Sequence, residues 1–579
     1  MRDEDSVTRR AVVSGAGRLA LTGALASALG ERSLAAAVPR SSLTRSDAPS
    51  AAGAGRGNSG DVPSSEEVFP QSVSSADPTP SGVLVWTRID PEAYAAERPL
   101  YLEVAPDASF EGAARYRIDP AEVDPANDYT VRVDLDGELD PGETYRYRFE
   151  YGGVRSRTGR CRTLPASDAS PDRLRLAVLT CQDYRNGYYG AYRHLAAADV
   201  DFLVHLGDFI YETAGDSPYP GRSIRLPSGA DVAMGLADYR HLYRTYRSDP
   251  NLRAALERHT LIATWDDHEI VNDRYWDYER DCPGADDHPR ADDPGFLVDL
   301  FADGVAAWWE YVPTRSRYRP NADRLHDSLQ LWRSFRFGDL VELIVTDERF
   351  FRSRPPASVG DSQVSFVAGG PPDDPSRTML GSNQREWFCD RLAASEATWT
   401  AWANEVLNGS FRLTSGGETT YNADAWDGYE HERRGIMDAL AAGDVENFLA
   451  LTGDMHSALA GYLLPRYPTD EDEASNQNRL GVEFMAPAVT SANLSQYLDL
   501  PSGSAAANLL ESVVLRENPH LEFFDSHRWG YGVVEFTPEA VTYEAHAVEK
   551  DVDPASADRE VFRRLRVPAG SVELRDVTD

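Results

Sequence analysis

Five pieces of this 579-residue sequence end an apolar run on groups that hold cations or anions. They are "LTCQD" (179–183), "FLVHLGDFIYE" (202–212), "HTLIATWDDHEIVND" (259–273), "LVELIVTDERFFRS" (340–353) and "ENFLALTGDMHS" (446–457). One strand that ends in aspartate is a turn. Several that converge on one sheet edge bring Cys181, Asp208, Asp266, Asp267, Asp347 and Asp454 together, and that makes a metal site. Phenolate, as Tyr211 could supply beside Asp208, is a hard anionic oxygen that suits a trivalent iron and would be wasted on calcium. Two metal ions about 3.5–4 Å apart can supply a nucleophilic hydroxide, clamp phosphoryl oxygens and assist a leaving alkoxide. The chemistry that fits is hydrolysis of a phosphate ester.

Such a site needs strands that stop at one edge. "LRLAVLT", "DFLVHLGD", "HTLIATWDD", "LVELIVTDE" and "ENFLALTGD" are apolar strands followed at once by polar groups, with helical segments such as "GYYGAYRHLAAA" between them. This pattern predicts parallel or mixed strands covered by helices, with the site beyond their carboxyl ends. Before them, "GVLVWTRID", "RPLYLEVAP", "YTVRVDLDG" and "TYRYRFEYGG" alternate between turns and predict an antiparallel β-sandwich over 65–165. "GYGVVEFTPEAVTYEAHAV" predicts a closing strand pair, and 550–579 reads as an acidic, partly disordered tail.

The N-terminal segment reads as an address. Arg9–Arg10, a small and apolar stretch and Ala35-Ala36-Ala37 predict a twin-arginine signal over 1–37, hence export of a folded protein. Residues 38–64, rich in Ser, Ala, Gly and Pro, read as a linker. No other run approaches the roughly 18 apolar residues of a membrane span.

Charge narrows the partners. Asp and Glu number 94 against 58 Lys and Arg, a formal charge of −36, and Lys550 is the single lysine. A chain of this kind lacks the cations that neutralise phosphates, which excludes nucleic acid and anionic membrane surfaces as partners. Acids spread over nearly the whole chain and near-absence of lysine read as a halophile's surface rather than as a local cation-binding feature. Four cysteines, Cys161, Cys181, Cys282 and Cys389, match neither a disulfide framework nor a zinc knuckle.

"LTCQD", "GDFIYE", "TWDDHEIVND" and "LTGDMHS" together resemble the metallophosphoesterase pattern of the purple acid phosphatases, in the modified form of the alkaline phosphatase D (PhoD-like) family. "FPQSVSSADPTPSGVLVWTRIDP", "TDERFFRS", "MLGSNQREWF" and "WGYGVVEFTPE" are similar to further landmarks of that family, so the resemblance covers roughly 67–548. It implies an Ig/fibronectin-like sandwich at 65–165, then an α-β-β-α metallophosphatase domain at 172–549. It implies Fe3+ and one or two Ca2+. Asp208 takes the bridging position, Cys181, Tyr211 and His456 complete the iron shell, and Asp267 and Asp454 stand where the acid phosphatases have neutral ligands. Asp273 adds a further ligand, and Asp266 is either a ligand or a supporting acid. His268 follows a ligand position and faces the phosphate as acid or charge stabiliser. Arg349 and Arg352 grip phosphate oxygens bidentately, Arg349 as part of the catalytic set. His194, His205, His288 and His431 receive no role. The activity implied is that of an exported phosphomonoesterase, phosphodiesterase, or both. Two alternatives are a cell-surface adhesion protein on an inactive hydrolase scaffold and a nucleotidase-type metal hydrolase.

Overall fold

The computed structural model describes residues 43–45, 63–356, 366–368, 373–415, 417–443, 445–467 and 479–578. The signal expected over 1–37 and nearly all of the linker expected over 38–64 lie outside the described residues.

Runs of β-branched and aliphatic residues build two large sheets. In the first, Leu174–Leu179, Phe202–Leu206 and Thr260–Thr264 pair in parallel. In the second, Val341–Val345, Trp399–Ala403, Phe448–Thr452 and Gly481–Met485 do the same. Most of these strands are buried along their whole length, as parallel strands covered on both faces must be. Alternation sorts their side chains by face. Leu343, Val345, Ala401 and Leu449 share one core with Leu176, Val178 and Val204 of the first sheet. Ile344, Trp402 and Ala450 turn the other way and pack with Phe388 and Leu392 of helix Gly381–Ala394 and Ile436 and Leu440 of helix Glu430–Ala442. The helices Leu236–Arg247, Pro250–Arg258 and Pro294–Tyr311 add Tyr239, Leu242, Leu252 and Phe301 to the shared core of the first sheet.

The N-terminal strands are antiparallel, as expected, and their two layers enclose a third core of Val73, Val83 and Val133 against Leu102, Val104 and Phe149. They do not form a free-standing sandwich. Val73–Thr79 continues the first sheet through Leu261 and Ala76, and the described residues belong to one compact unit. Buried polar contacts lock the join. Trp86 Nε1 donates to the Glu310 carbonyl at 2.8 Å, Arg247 lies over the Trp86 ring at 3.8 Å, and Arg333 pairs with buried Asp77 at 2.8 Å.

The closing pair is present as Gly530–Phe536 and Ala540–Val548. The tail expected after it is a strand instead. Arg559–Pro568 pairs antiparallel with Ala540–Val548, and Arg575–Asp576 pairs with it in turn. Arg564 and Arg566 alternate with Leu565 and Val567, which are buried, so the charges mask an amphipathic strand. All four cysteines are free thiols, and no described helix is long and apolar enough to cross a membrane.

Candidate metal centre

The carboxyl ends of both parallel strand sets deliver the site. Cys181 follows Leu174–Leu179, Asp208 follows Phe202–Leu206, Asp267 follows Thr260–Thr264 and Asp454 follows Phe448–Thr452. The chain leaves these strands abruptly. Cys181 (φ 57°), Asp208 (57°), Asp273 (52°), Asp454 (68°) and His456 (51°) all adopt left-handed backbone conformations. Such conformations cost about 1–3 kcal/mol each and persist only where surroundings over-determine them. At 208 the surroundings are plain. Gly207 takes φ 99°, and a Cβ there would lie 2.4 Å from that of Asp266. Glu269 then accepts hydrogen bonds from the Asp208, Phe209 and Asp266 amides at 3.1, 2.7 and 2.8 Å.

Ligand atoms of Cys181, Asp208 and His456 lie within 4.8 Å of one another. Tyr211 Oη donates to Asp208 Oδ2 at 2.6 Å, sits 3.1 Å from His456 Nε2 and accepts from Ser491 Oγ at 2.6 Å. The His456 Nδ1 donates to the Ala492 carbonyl at 2.6 Å, which leaves Nε2 bare and turned towards Asp208, the tautomer a metal ligand needs. One short segment, 489–492, therefore braces the group. Its Thr490 and Ser491 amides also hold the Cys181 carbonyl at 3.2 Å.

Asp267 is the hub of a second set. It groups with Asp208 and His268, with Asp266 and Asp454, and with Asp273 and Asp424. The Asp273 amide donates to Asp267 Oδ2 at 2.7 Å. Asp424 was not singled out in the sequence, although it follows the short strand Glu418–Asn422 as the other acids follow theirs. Asp347 is not in the set; it accepts from Trp265 Nε1 and the Phe350 amide.

His268 and the predicted ligands Asp208, Tyr211, Asp267, Asp273, Asp454 and His456 line a cavity of about 660 Å³. His268 Nδ1 is held by buried Glu212 Oε2 at 2.7 Å, and its ring lies against Tyr211 at a tilt of 31°, with centroids 4.1 Å apart. Burial opposes a charge on His268, but Glu212, Asp208 and Asp267 outweigh it and keep the imidazole protonated well above its ordinary range.

Arg349 and Arg352 do not line this cavity. Both are fully buried beneath its floor. Arg349 pairs with Asp266, with Asp424 at 2.5 Å and with Asp454 at 2.6 Å, and Arg352 pairs with Asp424 at 2.7 Å. Their guanidinium groups are consumed by carboxylates that would otherwise repel one another. The guanidinium on the cavity wall is Arg185, tied to Asp183 at 3.1 Å and Thr213 at 2.6 Å.

The donor set fits metal ions. Burial and Asp208 push the Cys181 thiol and the Tyr211 phenol far up, so that only a neighbouring cation would make them anionic ligands. Burial also raises Asp266, Asp273 and Asp454 despite Arg349. Asp208 Oδ1 and Asp266 Oδ2 are buried without a hydrogen-bond partner among the described residues. Arg349 and Arg352 supply two positive charges to this cluster, too few to neutralise it.

Residues 176–545 match the family model described as PhoD-like phosphatase, and 55–165 match its N-terminal domain. The chain belongs to the PhoD-like phosphatase family. Membership makes it a hydrolase of phosphoric esters. Alkaline phosphatase D of Bacillus subtilis (strain 168) is 31% identical over 487 residues, 81% of this chain and 76% of that one. A solved structure of PhoD superposes with a TM-score of 0.76 at 28% identity, covering 90% of this chain and 94% of the other. The two PhoD-like models meet between 165 and 176, where the chain passes from its antiparallel sheets into Leu174–Leu179.

Proposed function

We propose that this PhoD-like phosphatase cleaves phosphate mono- or diesters at a two-metal site bridged by Asp208. The observation that carries the reading is the position of Asp208, which belongs both to the group with Cys181 and His456 and to the group with Asp267 and His268. Cys181, Tyr211 and His456 would hold iron, because thiolate and phenolate need a strongly polarising cation. Asp267, Asp273 and Asp454, with Asp424 beside them, would hold calcium through hard oxygens. When bound, the ions supply Lewis-acid polarisation and acidify water.

The chain's own groups do the rest. Glu212 fixes Nδ1 of His268, so that Nε2 is the nitrogen left to protonate a departing oxygen. Tyr211 packs at a tilt against the imidazole and restrains its plane. Arg349 and Arg352 balance the carboxylates and hold them in position instead of gripping the phosphoryl group. Retention of the whole predicted ligand set argues against an inactive adhesion scaffold. The acidic, lysine-poor composition and the leader expected over 1–37 support export by the twin-arginine route from a halophilic cell.

Purified protein should turn over p-nitrophenyl phosphate, bis(p-nitrophenyl) phosphate, or both, and elemental analysis should find iron and calcium. Tyrosinate or thiolate on iron should give a visible charge-transfer band. Metal-replete protein that cleaves neither ester would sink the hydrolase reading. Colourless, fully active protein holding only zinc would sink the iron–calcium assignment.

A further inference from the structure

The single lysine of the chain sits behind the metal centre. Lys550 is 2% exposed, in a protein whose other 57 Lys or Arg positions are arginine. Its Nζ donates to the Thr490 carbonyl at 2.9 Å and to Gln496 Oε1 at 3.0 Å, and lies 4.3 Å from the centre of the Trp529 ring. The slot is narrow, since even a methyl group on Gly187 would come within 3.0 Å of the Lys550 Cβ. A compact ammonium on a slim stem fits where the broad guanidinium fork does not.

What the lysine holds is the brace of the site. The Thr490 carbonyl also accepts from Asn186 Nδ2 at 2.8 Å, and Thr490 Oγ1 donates to the Asp183 carbonyl at 2.7 Å. Trp529 Nε1, from the same wall as the lysine, donates to the Ser491 carbonyl at 2.8 Å. Segment 489–492 in turn touches Cys181, Tyr211 and His456 through the Thr490 and Ser491 amides, the Ser491 hydroxyl and the Ala492 carbonyl. The path from Nζ to the Cys181 backbone and to the Tyr211 and His456 side chains thus runs through one loop. Partners that orient ligands in this way typically set metal affinity by about 10–100-fold.

We infer that Lys550 is a positioning residue for the Cys181–Tyr211–His456 half of the metal centre, acting through segment 489–492. This rests on the proposed function only in taking that half as a metal site.

The test compares holoprotein of the wild type, Lys550→Gln, Lys550→Arg and Val548→Ala. Val548→Ala trims a buried core side chain two residues before the lysine and leaves its hydrogen bonds intact. Iron per chain and the visible band are followed during a timed chelator challenge, with thermal midpoints measured in parallel. Both Lys550 variants should lose iron about 10–100-fold faster than wild type, whereas Val548→Ala should lower the midpoint without that acceleration. Should Lys550→Gln fail to accumulate as folded protein, Gln496→Ala removes one Nζ acceptor and must accelerate loss in the same direction. Equal retention by wild type and the Lys550 variants, or equal acceleration in Val548→Ala at a matched midpoint, would overturn the role of Lys550. Wild-type protein that binds no metal at this half would overturn the reading of the site as well.

Discussion

Glu212 Oε2 stands 2.7 Å from His268 Nδ1, and the two residues reach each other from separate strand ends of one sheet. Glu212 follows Tyr211 directly, so one turn supplies both a proposed ligand and the group that aims the imidazole. Its Oε1 also accepts from the Asn272 amide at 3.0 Å, which fixes the far end of the 267–272 turn. His268→Ala should leave metal content near wild type and lower turnover by about 10²–10⁴ on alkyl phosphates. The loss should shrink on nitrophenyl phosphate, whose leaving group needs no proton. Glu212→Gln should show the same alkyl-to-aryl asymmetry at smaller amplitude. Equal losses on both substrates would remove the acid role and leave electrostatic positioning.

Arg349 predicts a stability effect more than a binding effect. It is fully buried and paired with Asp266, Asp424 and Asp454. Its loss leaves buried carboxylates uncompensated, a change worth about 3–5 kcal/mol. Arg349→Ala should therefore lower the thermal midpoint strongly in metal-free protein and less in metal-loaded protein, where cations offset the same carboxylates. A large rise in KM with unchanged stability would return Arg349 to the phosphate-binding role that its sequence context suggested.

Residue type and strand-end position are written in the sequence; depth is not. Cys181, Asp208, Asp267 and Asp454 were legible because an acid or thiol at the end of a buried strand has a fixed address on a parallel sheet. Arg349 was not, because "TDERFFRS" gives the residue type and no depth, and a guanidinium under the floor reads like one on it. Asp424 follows a short hairpin strand with a weak apolar signal, so its strand-end position leaves little mark in the sequence. Val73–Thr79 alternates well enough to suggest a separate sandwich, but it is buried on both faces and pairs along one edge with Thr260–Thr264 from the later chain. Non-local pairing of that kind leaves no local trace.

Asp208 and Cys181 should separate by metal. Asp208→Asn weakens the bridge, so both ions should be lost or bound poorly and activity should collapse. Cys181→Ser removes one soft ligand from one ion, so its main effect should be on the iron band and iron occupancy. Elemental analysis of the two variants decides. Calcium lost together with iron in Cys181→Ser would mean that the two halves are not independent, and full retention of both ions in Asp208→Asn would remove the bridge.

Salt should stabilise the fold. A formal charge of −36 implies self-repulsion, which mobile ions screen over about 10 Å at 0.1 M and about 3 Å at 1 M. Thermal midpoints should rise steadily through a potassium chloride series. A midpoint that is flat from low to molar salt would count against the halophile reading.

Lys550 should titrate near neutrality. Burial pulls its ammonium down to about 7, against the opposing pull of Asp551 and Asp183, whereas an unfolded chain holds the proton to roughly 10.4. Below both values the two states bind the same number of protons, and burying the charge costs stability in full. Between them the unfolded state binds more, so stability contributed at this position must rise with pH from about 7 to about 10.4 and level off above. The neutral amine keeps two N–H donors, as many as the Thr490 carbonyl and Gln496 Oε1 require, so the loop need not open as the proton leaves. Protein labelled only at lysine has one side-chain resonance, which makes the titration directly visible. The unfolding free energy of wild type relative to Lys550→Met should climb across the same window. A resonance that titrates near 10, or a free-energy difference that is flat across the window, would show that the ammonium stays charged in its slot and that Asp183 and the Trp529 ring outweigh burial.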